Sequence, residues 1–239
     1  MEEEKEKGAE ASLKLVNTPS ESSSIQLPQF EAREEAGQLQ VKRKKPDQVN
    51  QSSDFWLKQE DVLKLIGSAR SLRDRCILKL LYFGMLRRNE ARSLRIEDID
   101  FPRHRLNLHI TKRSKPRSVP ITEPGVFDDL RLYLEKRATG WVFVSKSKDG
   151  RLSNTAINDI VGLTAQLAGI ANPNPRLRKL NPHILRHSFA RHLRRQSPPI
   201  AIEVLQKLLG HKSVSTTMNI YASADLDFME EELKRCSSR

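Results

Sequence analysis

The segment Asn181-Pro182-His183-Ile184-Leu185-Arg186-His187 sets two imidazoles and a guanidinium at the start of a helical run. Asn181 suits the N-cap and Pro182 the first helical position. His183 therefore falls in the first turn, where unpaired backbone N–H groups and the helix dipole favour an anion. At helical spacing His183, Arg186, His187 and Ala190 share one face, while Leu185, Phe189 and Leu193 form a separate apolar stripe. Proton-transfer groups beside a permanent cation suit chemistry on an oxyanion. A zinc site of the H-E-x-x-H kind is excluded: Ile184 stands where the general-base Glu belongs, and Arg186 would set a cation beside the metal.

Three further groups extend this set. Arg87 follows the apolar run Leu81 to Leu86 and precedes Glu90 by three residues, so the carboxylate can orient the planar guanidinium. The stretch Thr111-Lys112-Arg113-Ser114-Lys115-Pro116-Arg117 collects four cations around a polar turn. Leu209-Gly210-His211-Lys212 then leads into a short helix ending at Tyr221. A phenol with a pKa of about 10 is a poor nucleophile at neutral pH and needs a proton acceptor and nearby cations. Two arginines, two histidines and a lysine supply both. The chain shows neither a carboxylate cluster nor a Gly-rich phosphate loop ending in Lys-Ser/Thr, which argues against two-metal nucleases and ATP-driven enzymes.

Those groups must be positioned by a folded body. The 239 residues suffice for one domain with an arm or for two small domains. The formal charge of +12 makes nucleic acid the first partner to consider. That excess lies beyond residue 50, because residues 1–50 are slightly acidic. Residues 1–53 are rich in Glu, Ser and Gln and end near the basic cluster 42–45; they are expected to form a disordered or poorly packed arm. Cys76 and Cys236 have no paired spacing that would suggest a disulfide framework or zinc site. No apolar run is long enough to span a bilayer and the start lacks a signal peptide, so a cytoplasmic, nucleoid-associated protein is expected, with no membrane partner.

Order is expected over residues 54–239. Val62, Leu65, Ile66 and Ala69 mark one helix, Leu72, Cys76 and Leu80 a second, and Asn89 can cap a short helix carrying Glu90, Ala91 and Leu94. Leu106, Leu108 and Ile110 alternate with polar residues as in a half-buried strand, and Arg117 to Ile121 resumes an extended pattern, giving a hairpin with a basic tip. Helices are expected over Val126 to Lys136, Asn154 to Ala168, Pro182 to Arg194, Ile200 to Leu209, Ser213 to Tyr221 and 225–234. Trp141 to Val144 reads as a short strand. The fold class is mainly α with a small antiparallel β-sheet.

Leu86-Arg87-x-x-Glu90, Lys112 in the hairpin, His183-x-x-Arg186, Leu209-Gly210-His211 and Tyr221, in that order, resemble the tyrosine recombinase (phage integrase, Xer-type) family over about Phe55 to Leu233. The resemblance implies the catalytic-domain fold of that family and a DNA strand-exchange reaction. Tyr221 would attack a scissile phosphate, forming a 3′-phosphotyrosyl link and freeing a 5′-hydroxyl. Arg87 and Arg186 would clamp the non-bridging oxygens, and Lys112 would protonate the leaving oxygen. His183 would exchange protons with the tyrosine, and His211 would hydrogen-bond the phosphate. Glu90 would hold Arg87, His187 would support the site, and Lys115 is the other candidate for the hairpin acid. Arg113, Lys115, Arg117 and Lys212 would contact DNA. No metal or other cofactor is implied. The expected partner is double-stranded DNA, bound as a homotetramer on paired sites, with an accessory DNA-binding protein as a further partner.

Two features depart from the family pattern. The glycine common before the Leu-Arg pair is Met85, with Gly84 one place earlier. Family members usually carry an N-terminal helical domain that completes a clamp around DNA, though some relatives lack it, whereas the residues before Phe55 have the composition of an unfolded arm. Two alternatives therefore stand beside strand exchange: a recombinase-derived DNA-binding or regulatory protein without independent cleavage, and a type IB topoisomerase-like enzyme.

Overall fold

The structure, a computed structural model, describes residues 55–109, 116–146, 149–211 and 213–221 and the single positions Lys234 and Cys236. The arm 1–53, Lys112, Arg113, Lys115, Lys212 and the helix expected over 225–234, apart from Lys234, lie outside the described residues.

Eight helices and three strands follow in the described residues: α1 Gln59–Gly67, α2 Leu72–Tyr82, α3 Arg88–Arg92, β1 Ile99–Asp100, β2 Arg105–Leu108, β3 Arg117–Pro120, α4 Pro124–Leu134, α5 Asn154–Leu167, α6 Pro182–Arg195, α7 Ile202–Leu209 and α8 Val214–Tyr221. Helix α2 is the centre of the bundle. It buries Cys76, Ile77, Leu78, Leu80, Leu81 and Tyr82 and packs against α1, α3, α4, α5 and α6. Ser71 starts it by accepting from the Asp74 N–H, as Ser153 starts α5 by accepting from Ala156. The strands form one antiparallel sheet in sequence order, with Leu106 opposite Ile99 and Val119. Leu106, Leu108 and Val119 face the core while Arg105, Asn107 and Ser118 face out, the alternation that a half-covered sheet requires.

Two local expectations are corrected. Trp141 to Val144 makes only isolated bridges, Arg95 to Trp141 and Val144 to Arg151. Val142 and Phe143 are both buried, which no strand alternation allows, and the Val142 N–H is spent on the Leu94 carbonyl. The third strand of the sheet is instead β1, too short to show a period in the sequence. Helix α3 is capped by Arg87, not Asn89: the Glu90 carboxylate reaches back to the Arg87 N–H at 2.7 Å.

Beside the main core a smaller apolar cluster joins Met85, Ala190, Leu205, Leu209 and Tyr221. Residues 55–57 are fastened to α6. The Leu57 N–H donates to Ser188 Oγ, His192 Nε2 donates to the Leu57 carbonyl, and Trp56 lies under the guanidinia of Arg191 and Arg195. Because that carbonyl can only accept, His192 Nδ1 is left to accept from the Tyr82 hydroxyl at 2.6 Å. No helix among the described residues is long and apolar enough to cross a membrane.

Candidate active site

Three arginines from three distant segments meet at the C-terminal end of α7. That end leaves its last carbonyls without helical partners and carries the negative pole of the helix dipole. Arg117 Nε donates to the Leu208 carbonyl at 3.0 Å, Arg186 donates to those of Leu209 and Met85, and Arg87 NH2 donates to that of Gly210 at 3.0 Å. Gly210 closes the helix in the left-handed conformation, φ 61° and ψ 42°, which turns its carbonyl toward Arg87. Its missing side chain also makes room, since a Cβ would stand 2.9 Å from Arg117 NH1.

Glu90 meets the same three arginines from the opposite side. It accepts from Arg117 through both oxygens at 2.8 and 2.9 Å and from Arg87 NH1 at 3.0 Å, with Arg186 NH1 at 3.9 Å. Burial opposes ionisation of its carboxyl, but the hydrogen bonds and charge of Arg117, the Arg87 N–H and the charge of Arg186 outweigh it and hold the pKa at about 2. Burial and the Arg87 charge push Arg186 below the usual arginine value, partly offset by Glu90.

Met85 aims the second acceptor for Arg186. It adopts φ 47°, a left-handed conformation costly for a residue with a Cβ. A Cβ on the preceding Gly84 would stand 2.7 Å from the Leu80 carbonyl. The glycine therefore serves close packing on α2, while Met85 takes the strained turn and fills the cluster around Tyr221.

Tyr221 is buried in that cluster, 3% exposed, with its hydroxyl 2.5 Å from His187 Nδ1. Burial raises the phenol pKa above its usual value, and the Arg186 and Arg191 charges only partly offset this. Burial and the Arg186 charge lower His187 to about 4, so the ring is neutral at pH 7, and in its Nε2–H tautomer Nδ1 accepts a hydrogen bond from the phenol. His211 is lowered to about 4 by burial and by Arg186, Arg87 and Arg117, and its Nδ1 lies 2.9 Å from Thr217 Oγ1.

His183 stands one turn before His187 and lines the mouth of a cavity of about 300 Å³, together with Phe55, Asn181 and His187. It is lowered by burial of its ring and by the charges of Arg186, Arg88 and Arg87, even though part of the side chain remains exposed. Among the described residues no group of three or more His, Cys, Asp or Glu side chains is placed to hold a metal ion.

The structure thus brings Arg87, Glu90, Arg186, His187, His211 and Tyr221 together and leaves His183 at the rim. Two placements differ from expectation. His187, expected only to support, is the imidazole that holds the phenol. Arg117, expected on the DNA-facing side of the hairpin, turns inward with its side chain 8% exposed. The sequence carried a signal for the second: Arg117 lies two residues before Val119, hence on the same, core-facing side of the strand.

Residues 55–227 match the Phage integrase family. The chain belongs to the phage integrase family. It is 35% identical over 187 residues to the tyrosine recombinase XerA of Pyrococcus furiosus, covering 76% of this chain and 61% of that one. It is 32% identical over 224 residues to the tyrosine recombinase XerD of Mycobacterium tuberculosis, covering 86% and 68% respectively. Its fold matches the crystal structure of a XerA recombinase with a TM-score of 0.64 at 27% identity, over 77% of this chain and 65% of that one. A XerH site-specific recombinase bound to its difH substrate in a pre-cleavage complex gives a TM-score of 0.58 at 25% identity, over 75% and 53%. The mainly helical body with one small antiparallel sheet is the tyrosine recombinase catalytic-domain fold. The chain spans about three-fifths of the length of the archaeal XerA protein.

Proposed function

We propose that this protein cleaves and rejoins DNA strands at specific sites through a covalent 3′-phosphotyrosyl intermediate on Tyr221. The observation that carries the reading is the convergence of a phenol, a neutral imidazole and paired guanidinia within one family-typical arrangement. Tyr221 Oη attacks the phosphorus and expels the 5′-oxygen, so the phosphodiester energy is kept in the phosphotyrosyl bond and rejoining needs no ATP. Arg87 and Arg186, held at fixed angles by Glu90 and the α7 carbonyls, stabilise the charge that builds on the non-bridging oxygens. His187 accepts the phenolic proton, His183 and His211 donate to phosphate oxygens from the rim and the α7 end, and Lys112 or Lys115 protonates the leaving 5′-oxygen.

Tyr221 is covered by the surrounding apolar cluster, 3% exposed, and cannot meet a phosphate of a duplex from that position. Attack therefore follows a movement of α8 that lifts the ring from Met85 and Leu205. The partner is double-stranded DNA, attracted by the positive charge of the folded part. Strand exchange requires two paired sites, hence a homotetramer, with an accessory protein contributing to the grip.

The test uses a pool of nicked duplexes with a randomised core, in which the nick lets the cleaved fragment escape and traps the adduct. Protein-linked DNA is recovered from denaturing gels and sequenced. A covalent product present in wild type and absent in Tyr221→Phe is expected. Salt-sensitive binding with no adduct from any duplex in the pool would overturn the strand-transfer reading in favour of a non-cleaving DNA-binding protein. Relaxation of supercoiled plasmid without exchange of strands would instead indicate a topoisomerase-like activity.

A further inference from the structure

We propose that Arg117 is a positioning residue of this site, the third guanidinium of the cluster, tying the hairpin strand β3 to the ends of α3 and α7 so that Arg87, Arg186 and His211 stand in register. The inference extends the strand-transfer reading and rests on it for its catalytic consequence.

The geometry leaves Arg117 no direct part in phosphate binding. Its side chain lies on the inner face of β3 beside Val119 and is nearly covered. Two of its nitrogens form a paired contact with both oxygens of Glu90, and Nε reaches the Leu208 carbonyl. Gly210 supplies the space: a Cβ there would stand 2.9 to 3.1 Å from three atoms of the Arg117 side chain. One planar group therefore fixes three things at once. It sets the direction of the carboxylate that orients Arg87, the position of the α7 end whose next carbonyls hold Arg186 and Arg87, and the start of the strand that follows Lys112 and Lys115.

Without that fork Glu90 would keep Arg87 from its own helix start and Arg186 from α6, the latter 3.9 Å away. The freed oxygen would be drawn toward Arg186, away from its present direction, and would pull that guanidinium from the Met85 and Leu209 carbonyls. Lysine cannot replace the fork, because a single ammonium cannot meet both carboxylate oxygens and a carbonyl in one plane. The charged groups facing Glu90 are Arg87 at the start of α3, Arg117 from β3 and Arg186 from α6. His211, after α7, feels the same three arginines.

Arg117→Met and Arg117→Lys in the full chain test this. Carboxylate ¹³C NMR, with the Glu90 signal assigned by Glu90→Gln, follows Glu90 in the DNA-free protein. Filter binding at several salt concentrations and adduct formation on the nicked duplexes recovered above follow DNA. Far-UV circular dichroism checks folding, and the Lys variant carries the same readings if the Met variant does not fold. In Arg117→Met the Glu90 midpoint is expected to rise from about 2 to above 4, with Arg117→Lys between. DNA affinity should stay within about twofold with an unchanged salt slope, while adduct formation slows at least about a hundredfold and its acid limb moves up with Glu90. An unshifted Glu90 midpoint in both variants would overturn the proposal, as would a salt slope smaller by about 1, which marks a lost phosphate contact. If wild type forms no adduct, the strand-transfer reading falls, and the Glu90 midpoint still decides the role of Arg117.

Discussion

Glu90→Gln keeps the shape of the side chain and removes the one negative charge among Arg87, Arg117 and Arg186. The carboxylate is 3% exposed and its partners Arg117 and Arg186 are 8% and 5% exposed, so water cannot replace it. The lowering of its pKa from 4.5 to about 2 corresponds to about 3 kcal/mol of stability at neutral pH. The independent expectation for removing one member of a buried ion pair, about 3–5 kcal/mol, agrees. The sign follows from the direction of the shift. A carboxyl with a depressed folded-state pKa contributes stability that is complete above its unfolded value near 4.5 and is lost as the pH falls through 2. The protonated acid and the amide are nearly isosteric, so the gap between wild type and Glu90→Gln should be about 3 kcal/mol at pH 7, shrink below pH 5 and nearly vanish near pH 2. Urea unfolding at fixed salt across that range measures it, as a displaced midpoint at constant m-value. A gap that is absent at pH 7, or one that does not change with pH, would refute the idea that Glu90 is ionised and held by the three arginines.

Gly210→Ala should lower stability by about 1–2 kcal/mol from its left-handed backbone alone, and by more as its Cβ meets the Arg117 guanidinium; urea unfolding reads the loss. Tyr82→Phe leaves the half-buried His192 Nδ1 without its donor and should cost about 1 kcal/mol by the same measurement. His187 and His211 should both titrate near 4 in imidazole proton NMR of the DNA-free protein. Their folded values lie below the unfolded 6.5, so the stability they contribute is complete above pH 6.5 and is lost as the pH falls through 4; a midpoint near 6.5 for His187 would refute its enclosure against Tyr221.

Much of the helical framework was legible because amphipathic spacing reports directly which side of a helix is covered. The helices through Val62, Cys76 and Ile157 and the helix α6 follow their apolar stripes, and Ser71, Ser153 and Asn181 mark the starts of the last three. The β2–β3 pairing followed from alternation on either side of a polar turn. The Trp141 segment misled because two adjacent buried residues mimic a fully covered strand, while its backbone N–H groups go to loop carbonyls. The cap of α3 misled because Asn89 has the better propensity, but the Glu90 carboxylate was already committed next to Arg87.

The sequence by itself determined the candidate groups and their order along the chain: Arg87, Lys112, His183, Arg186, His211 and Tyr221 carry the family resemblance without any coordinates. It also determined that Tyr221 belongs to a partly apolar helix. Only the tertiary structure decided which groups meet. Arg87 reaches Gly210 across 123 positions and Arg186 reaches Met85 across 101, contacts that no local period encodes. Periodicity says that a face is turned inward but not what waits there, and the inward face of β3 held an arginine as well as Val119. The packing of α7 against β3 supplied a carbonyl for that charge, and α3 supplied a carboxylate. The same packing turned His187, not His183, toward the phenol, and gave Met85 the strained backbone that directs its carbonyl to Arg186.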